Sequence, residues 1–247
     1  MTSHTSFLTI TLLALFVAAG CASPQPISLL EGDSEESKFW HQGQEFLTYT
    51  TKGITAEIAY SREAGELYIF DVAVYNETDT ELLVDPASFY YRPVRNFQDS
   101  LLLVYAEDPE SRLLEIDKDL SRLKAEEINQ SISSALMATA ELTAVVASEV
   151  GKSTEEEKDE LYQSIEYSTH ERNLERTKIE LENMNARQQR DFWKSQTLRK
   201  TTLFPNQYIT GQVFFPRNIK ADEVILILPL ANKEFSFKYR QELVEVD

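Results

Sequence analysis

The apolar residues of this chain repeat with a strand period near both ends and with a helix period between them. In the middle segment, 108–196, the residues Leu113, Ile116, Leu120 and Leu123 are spaced three and four positions apart. This spacing is typical of one face of an α-helix. The chain must therefore join β-rich ends through a helical middle.

Capping signals divide the middle segment into two helices. Asp108 offers a capping carboxylate immediately before Pro109, a residue favoured at the first helical position. Gly151 is typical of a helix end, and the run 153–156 (Ser-Thr-Glu-Glu) matches a capping box for a second helix. Two helices of about 40 residues would each be about 60 Å long, and a short turn would make them antiparallel. The sequence predicts an inserted helical hairpin over residues 108–196.

The flanking segments show the alternation of half-buried strands. Ile54, Ala56 and Ile58 alternate with polar neighbours, and the run 67–76 (LYIFDVAVYN) is rich in aromatic and β-branched residues. Toward the other end, the run 223–230 is nearly all aliphatic. Neither end alone provides enough strands for a closed two-layer core.

Together the two ends provide about seven or eight strands, the number expected of an immunoglobulin-like sandwich. By strand count and turn spacing the chain resembles that family, although the Cys–Trp–Cys hallmark of true immunoglobulin domains is absent. The predicted fold class is α+β: an immunoglobulin-like antiparallel β-sandwich with a long inserted antiparallel helical hairpin. Residues 38–107 and 197–247 would form the single discontinuous sandwich.

The helical segment 135–150 is rich in Ala, Val and Thr and invites comparison with a membrane span. It is short for that role, and it contains Glu141 and Glu149. We therefore expect it to be a buried helix face. Trp193, at the end of the second helix, is expected to pack where the hairpin rejoins the sandwich.

The first twenty residues contain no Asp, Glu, Lys or Arg, and the only cysteine of the chain follows them. The apolar run 7–20 has the length of a signal-peptide core and is too short for a membrane span. Its end, Ala18-Ala19-Gly20-Cys21, resembles the lipobox of bacterial lipoproteins. The alternative is an ordinary secretory signal cut near Ala19, which would leave an unpaired thiol.

The lipobox resemblance implies cleavage between Gly20 and Cys21 and acylation of the Cys21 thiol, so that residues 1–20 are a signal peptide. Residues 21–37, which contain Pro, Gly, Ser and acidic residues, would be a flexible tether. Because Ala22 rather than Asp follows the cysteine, the resemblance also implies outer-membrane sorting in a Gram-negative host. The expected location is the cell envelope, lipid-anchored and facing the periplasm.

The composition and motifs exclude several function classes. The net charge of −17 disfavours nucleic acid as a partner. The chain has no GxSxG, HExxH, P-loop or GxGxxG motif, and His41 and His170 lack neighbours at metal-ligand spacing. We therefore predict no catalytic residues, no metal and no cofactor.

Two functional hypotheses remain from the sequence. The first is a non-enzymatic interaction or structural protein of the envelope, whose hairpin binds an unknown envelope protein or a second copy of the chain. The second is a ligand- or carbohydrate-binding module, or an envelope enzyme, with a site where the sandwich meets the hairpin. The residues predicted for that second site are Tyr90, Tyr91, Arg92 and Glu107.

Overall fold

The computed structural model describes residues 26–33, 37–96, 98–99, 102–151 and 153–245 of the chain. Within these residues it combines two long α-helices with antiparallel sheets. The helices are α1 (Pro109–Val150) and α2 (Glu155–Ser195). The strands before them are β1 (Ile27–Gly32), β2 (Lys38–His41), β3 (Gln44–Thr51), β4 (Ile54–Ala64), β5 (Leu67–Asn76), β6 (Leu82–Val84), β7 (Tyr90–Arg95), β8 (Gln98–Asp99) and β9 (Val104–Tyr105). The strands after them are β10 (Thr201–Leu203), β11 (Gln207–Pro216), β12 (Glu223–Leu230) and β13 (Lys233–Val244).

Strands from both ends of the chain are interleaved in the two main sheets. One sheet has the order β1-β13-β12-β7-β8, with β9 also paired to β7. The other has the order β11-β5-β4-β3-β2. The pairs β5–β11 and β7–β12 each join a strand before the helices to a strand after them.

The inward faces of the two sheets share one apolar core. Its aromatic rings meet across the sheets: Tyr49 lies edge-on to Phe235 with ring centroids 5.4 Å apart, and Phe70 lies 5.3 Å from Tyr239. Tyr91 of β7 contacts Phe215 of β11 at 5.8 Å. These packed rings tie the two ends of the chain together by burial of apolar surface as well as by backbone pairing.

The helices run antiparallel, as the sequence predicts, and their capping is largely as expected. The Asp108 carboxylate accepts the Glu110 amide at the start of α1. At the start of α2 the capping box lies one residue later than predicted, between Thr154 and Glu157. Both registers satisfy the same sequence pattern, so the pattern alone could not distinguish them.

The hairpin base packs on the outer face of the five-stranded sheet. Trp193 of α2 and Ile116 of α1 are buried against Ile69 and Phe214, and the Trp193 and Phe214 ring centroids are 4.8 Å apart. The expected position of Trp193 is thus confirmed. This second cluster is separate from the core between the sheets.

The prediction of a flexible tether over residues 21–37 is wrong for its central part. Ile27–Gly32 is strand β1, which pairs with β13 from Ile27↔Val244 to Gly32↔Tyr239. Ser28 and Leu30 are buried, whereas Ile27 and Leu29 are exposed. The segment has the composition of a linker, with Pro24, Pro26 and several acidic residues. The strand alternation within it is short, so composition outweighed it in the prediction.

The prediction that segment 135–150 is a buried helix face is also wrong. Leu136 is 67% exposed, Leu142 65% and Val150 84%. The physical reason is that the side of α1 facing α2 carries other residues, as described below.

Candidate functional site

The four residues predicted for a ligand site do not converge on one cleft. Tyr91 is fully buried in the core, where its hydroxyl donates to the Pro216 carbonyl oxygen at 2.8 Å. Tyr90 and Arg92 are partly buried on the opposite face of β7, because successive strand residues point to opposite faces. Glu107 lies beyond β9, where its amide donates to the Phe214 carbonyl oxygen.

The tyrosines of this set have structural partners. The Tyr90 hydroxyl donates to Glu234 at 2.8 Å, and its ring lies 5.7 Å from that of Tyr105. Burial, followed by the hydrogen bond to Glu234, raises the pKa of Tyr90. Burial likewise raises the pKa of Tyr91, so both side chains remain neutral hydrogen-bond donors at physiological pH. The predicted lipidation and cleavage residues, Gly20 and Cys21, lie outside the described residues.

A polar cleft of about 320 Å³ lies on the outer face of the five-stranded sheet, beside the end of α2. It is lined by Phe46, Asp71, Val72, Ala73, Ser195, Gln196, Thr210, Gly211 and Gln212. The Asp71 carboxylate accepts one amide hydrogen from Gln212 at 3.0 Å and one from Gln44 at 2.9 Å. The other side-chain atom of Gln212, its Oε1, is enclosed and has no hydrogen-bond partner among the described residues. The Asp71 carboxylate is therefore the charged acceptor of the cleft.

The distal half of the hairpin has polar residues between its two helices. Arg172 of α2 forms two hydrogen bonds to the Glu141 carboxylate, at 2.8 and 3.0 Å, and Ser168 donates to the same carboxylate at 2.7 Å. The Gln130 amide donates to the Arg172 carbonyl oxygen at 3.1 Å. The hydrogen bond from Arg172, followed by that from Ser168, lowers the pKa of Glu141.

Five large aliphatic residues of distal α1 point away from α2. At 100° per residue, they lie about 140–180° around the helix from Glu141. We name them the outer stripe: Ile128 (51% exposed), Ile132 (56%), Leu136 (67%), Val146 (54%) and Val150 (84%). This distribution is the reverse of an ordinary helical hairpin, in which the apolar side faces the partner helix.

Two threonines complete the outer stripe, and their hydroxyl groups need no hydrogen-bond acceptor outside α1. The Thr139 hydroxyl donates to the Ala135 carbonyl oxygen, and the Thr143 hydroxyl donates to the Thr139 carbonyl oxygen, both at 2.8 Å. Because each hydroxyl already donates a hydrogen bond within the helix, a partner can bury these side chains without leaving an unpaired donor. The stripe is thus a continuous surface about 33 Å long, from 128 to 150.

By length and composition alone, α1 is the one described helix that could cross a membrane, and 6% of its most apolar 18-residue window is buried. This is weak evidence, since helices of other kinds pass the same test. Among the described residues, no group of three or more His, Cys, Asp or Glu side chains is arranged to hold a metal ion.

Sequence reasoning missed both the outer stripe and the cleft. The stripe has a helical spacing, but periodicity does not reveal whether a face meets a helix of the same chain. A usable signal was present, since Gln130, Ser134, Glu141 and Ser148 form a polar face with the same spacing. The cleft depends on register, which brings Asp71 opposite Gln212.

Scans of protein-family models, curated proteins and solved structures find no match to this chain.

Proposed function

We propose that this protein is a lipid-anchored, non-enzymatic component of the bacterial cell envelope that binds a protein partner through the outer stripe of its hairpin. The observation that carries the proposal is the exposure of five large aliphatic side chains on the face of α1 opposite α2. A continuous exposed apolar surface on a soluble domain is typical of an interaction site. The polar contacts between Glu141 and Arg172 leave that surface available, because they already hold the two helices together.

The anchoring part of the proposal rests on the lipobox-like run 18–21. Acylation of Cys21 would attach the protein to a membrane, and Ala22 favours the outer membrane, with the protein facing the periplasm. Each buried methylene of an acyl chain contributes about 0.8 kcal/mol, so that more than one chain gives persistent attachment.

The finer fold that we infer is an immunoglobulin-like sandwich, formed by residues 38–107 and 197–247 together with β1, and interrupted by the hairpin at 108–196. It is supported by two antiparallel sheets with one shared core and by the pairing of β5 with β11 and β7 with β12. Two-layer antiparallel packing of this size is characteristic of that architecture.

Crosslinking in membranes tests the binding part. A photo-crosslinking residue at position 136 should capture a discrete partner, and the double substitution Ile132→Ser, Val146→Ser should abolish that capture. The matched control is Leu174→Ser, Leu181→Ser, because these α2 residues are similarly exposed, at 58% and 52%. Equal capture in all three proteins, or none in the unsubstituted protein, would contradict the proposed docking surface.

Metabolic labelling tests the anchor separately. Labelled palmitate should enter the wild-type protein and not the Cys21→Ser variant, which should leave the membrane fraction. If the wild-type protein takes up no label, the lipid anchor is contradicted. The proposed docking surface on the hairpin does not depend on that result.

A second candidate function, ligand binding, is favoured by the cleft beside Asp71. Its Asp71 carboxylate accepts hydrogen bonds, and the Phe46 ring provides an apolar wall, a combination suited to a sugar. Binding on a glycan array that is lost in Asp71→Asn would support this candidate. Absence of binding to every neutral glycan would oppose it.

A further inference from the structure

From the outer stripe, we infer that the hairpin's partner is a second copy of this chain, bound antiparallel about a two-fold axis at Thr139. This inference rests on the proposed docking role of the stripe and adds the identity and orientation of the partner. It does not depend on the lipid anchor.

The positions of the outer stripe, taken with Ala135 and Leu142 beside it, are symmetric about Thr139, since Leu136 and Leu142 lie three residues on either side of it. Ile128 and Val150 lie eleven residues on either side of it, Ile132 and Val146 lie seven, and Ala135 and Thr143 lie four. A two-fold axis through Thr139 would therefore place Ile128 opposite Val150 and Ile132 opposite Val146. Such self-matching is required of an isologous contact, in which the same patch serves both subunits.

The sizes of the stripe residues also fit two crossing helices. Ala135, Thr139 and Thr143 are small and lie at the centre, with Leu136 and Leu142 about 60° around the helix to either side of Thr139. The residues toward the two ends of the stripe are larger aliphatic ones. Small residues at a crossing point let two helix backbones approach, and the larger side chains fill the space where the helices diverge. The two threonine hydroxyls at the centre already have acceptors within α1.

The charge distribution permits a second copy and disfavours a bilayer. From 131 to 148 the only charged residue of α1 is Glu141, and it is directed at Arg172 between the helices. A chain of net charge −17 meets the least repulsion from its own copy at such a neutral face. An interfacial membrane helix would instead carry Lys or Arg beside its apolar face, and this segment carries neither.

Charge also selects the antiparallel orientation. Toward the hairpin base, Lys118 and Lys124 flank the line of the stripe on α1, whereas Arg122 is paired with Glu126 and Asp119, and Asp117 is engaged by Arg190 at 2.6 Å. Toward the tip, the acidic residues 155–157 begin α2. An antiparallel pair brings Lys118 and Lys124 of each copy toward the acidic tip of the other, whereas a parallel pair would place both acidic tips together.

Sedimentation of the full chain carrying Cys21→Ser tests the stoichiometry. The mass should rise from monomer to dimer with concentration, and Thr139→Arg should hold it at the monomer because two like charges would meet on the axis. The matched control is Thr177→Arg on α2, whose hydroxyl also donates one turn back, to the Asn173 carbonyl oxygen at 2.9 Å. This control should dimerise like the parent, and circular dichroism should show equal helicity in all three.

Cysteine crosslinking tests the orientation in the same Cys21→Ser background. Thr139→Cys should form a disulfide with its own copy, whereas Ala135→Cys or Thr143→Cys alone should not. A mixture of those two single variants should crosslink, because an antiparallel pair crossing at Thr139 brings positions 135 and 143 within the roughly 7 Å that a disulfide permits between Cα atoms. Self-crosslinking of Ala135→Cys would overturn the antiparallel arrangement.

The outcomes separate this inference from the broader proposal. A protein that stays monomeric at every concentration, yet still loses photo-crosslinks at position 136 in Ile132→Ser, Val146→Ser, would overturn the second copy and retain a different partner. A dimer that survives Thr139→Arg would overturn the proposed axis. If every stripe variant keeps its crosslinks and its dimer, both the second copy and the proposed docking surface are overturned.

Discussion

Arg172 and Glu141 face each other across the hairpin, with the two terminal guanidinium nitrogens 2.8 and 3.0 Å from the two carboxylate oxygens. This two-point contact fixes the distal halves of the two helices against each other. Bidentate pairs of this kind add geometric specificity as well as attraction. The pair allows the apolar side of α1 to face outward without separation of the helices.

The first prediction concerns the pH dependence of this pair. The pKa of Glu141 in the folded protein is lowered from its ordinary value of 4.5, mainly by the hydrogen bond from Arg172. The stabilisation is therefore complete above about pH 4.5 and is lost as the pH falls through the lower folded value. The difference in melting temperature between the wild type and Glu141→Gln should shrink over that acidic range. Glu180→Gln, which removes an exposed pair with Arg176, is the control and should show little difference at any pH.

The second prediction compares the two sides of α1 with one substitution. Leu123→Ala on the side facing α2, where Leu123 is 3% exposed, should lower the free energy of unfolding by about 2–5 kcal/mol. Leu136→Ala on the outer stripe should change it by no more than about 0.5 kcal/mol, since that side chain is already in water. Urea unfolding at a concentration that keeps the protein monomeric measures both. A large loss at Leu136 would contradict its exposure in the isolated chain.

A third prediction addresses attachment of the hairpin to the sheet. Trp193→Ala should cost about 3–5 kcal/mol, because it empties the cluster with Phe214, Ile69 and Ile116. Hydrogen exchange should accelerate at the end of α2 and along β11. Trp40→Ala is the matched control, since Trp40 is 72% exposed and its loss should leave exchange at the hairpin base unchanged.

The fourth prediction uses a close backbone approach beside the cleft. A Cβ at Gly211 would lie 2.5 Å from the Leu198 amide nitrogen and 2.7 Å from its Cα. Gly211→Ala should therefore destabilise the protein by about 1–3 kcal/mol through overpacking against backbone that cannot yield. Gly65→Asn is the comparison: open space surrounds that position, and its φ of 59° is one that Asn tolerates. Thermal unfolding that ranked Gly65→Asn below Gly211→Ala in stability would refute this account.

Local sequence signals predicted the helices and several strands because those signals are properties of neighbouring residues. Asp108, Pro109 and Gly151 mark helix ends through backbone hydrogen bonding, which needs no tertiary context. Strand β3 was not predicted, since its apolar residues are few and only Leu47 of the strand is fully buried. Strand β1 required knowledge of β13, its only paired strand among the described residues.

The site residues were harder to predict, because the position of each side chain depends on which face of its strand or helix packs against the rest of the protein. Tyr90 and Tyr91 have the same chemistry, yet one step along β7 moves the side chain from the outer face into the core. The outer stripe illustrates the same difficulty in a helix. Its spacing predicted burial, and the polar face that meets α2 reversed the outcome.

If Cys21 is acylated as proposed, the early start of β1 limits how far the protein can stand from the membrane. Six residue steps separate Cys21 from Ile27, and a fully extended chain covers at most about 21 Å over that number. The hairpin is about 60 Å long, roughly three times that reach. In a protein anchored in this way, the distance of the hairpin tip from the membrane would be governed chiefly by the tilt of the whole protein. A small rotation about this short connection would move the tip through a wide arc.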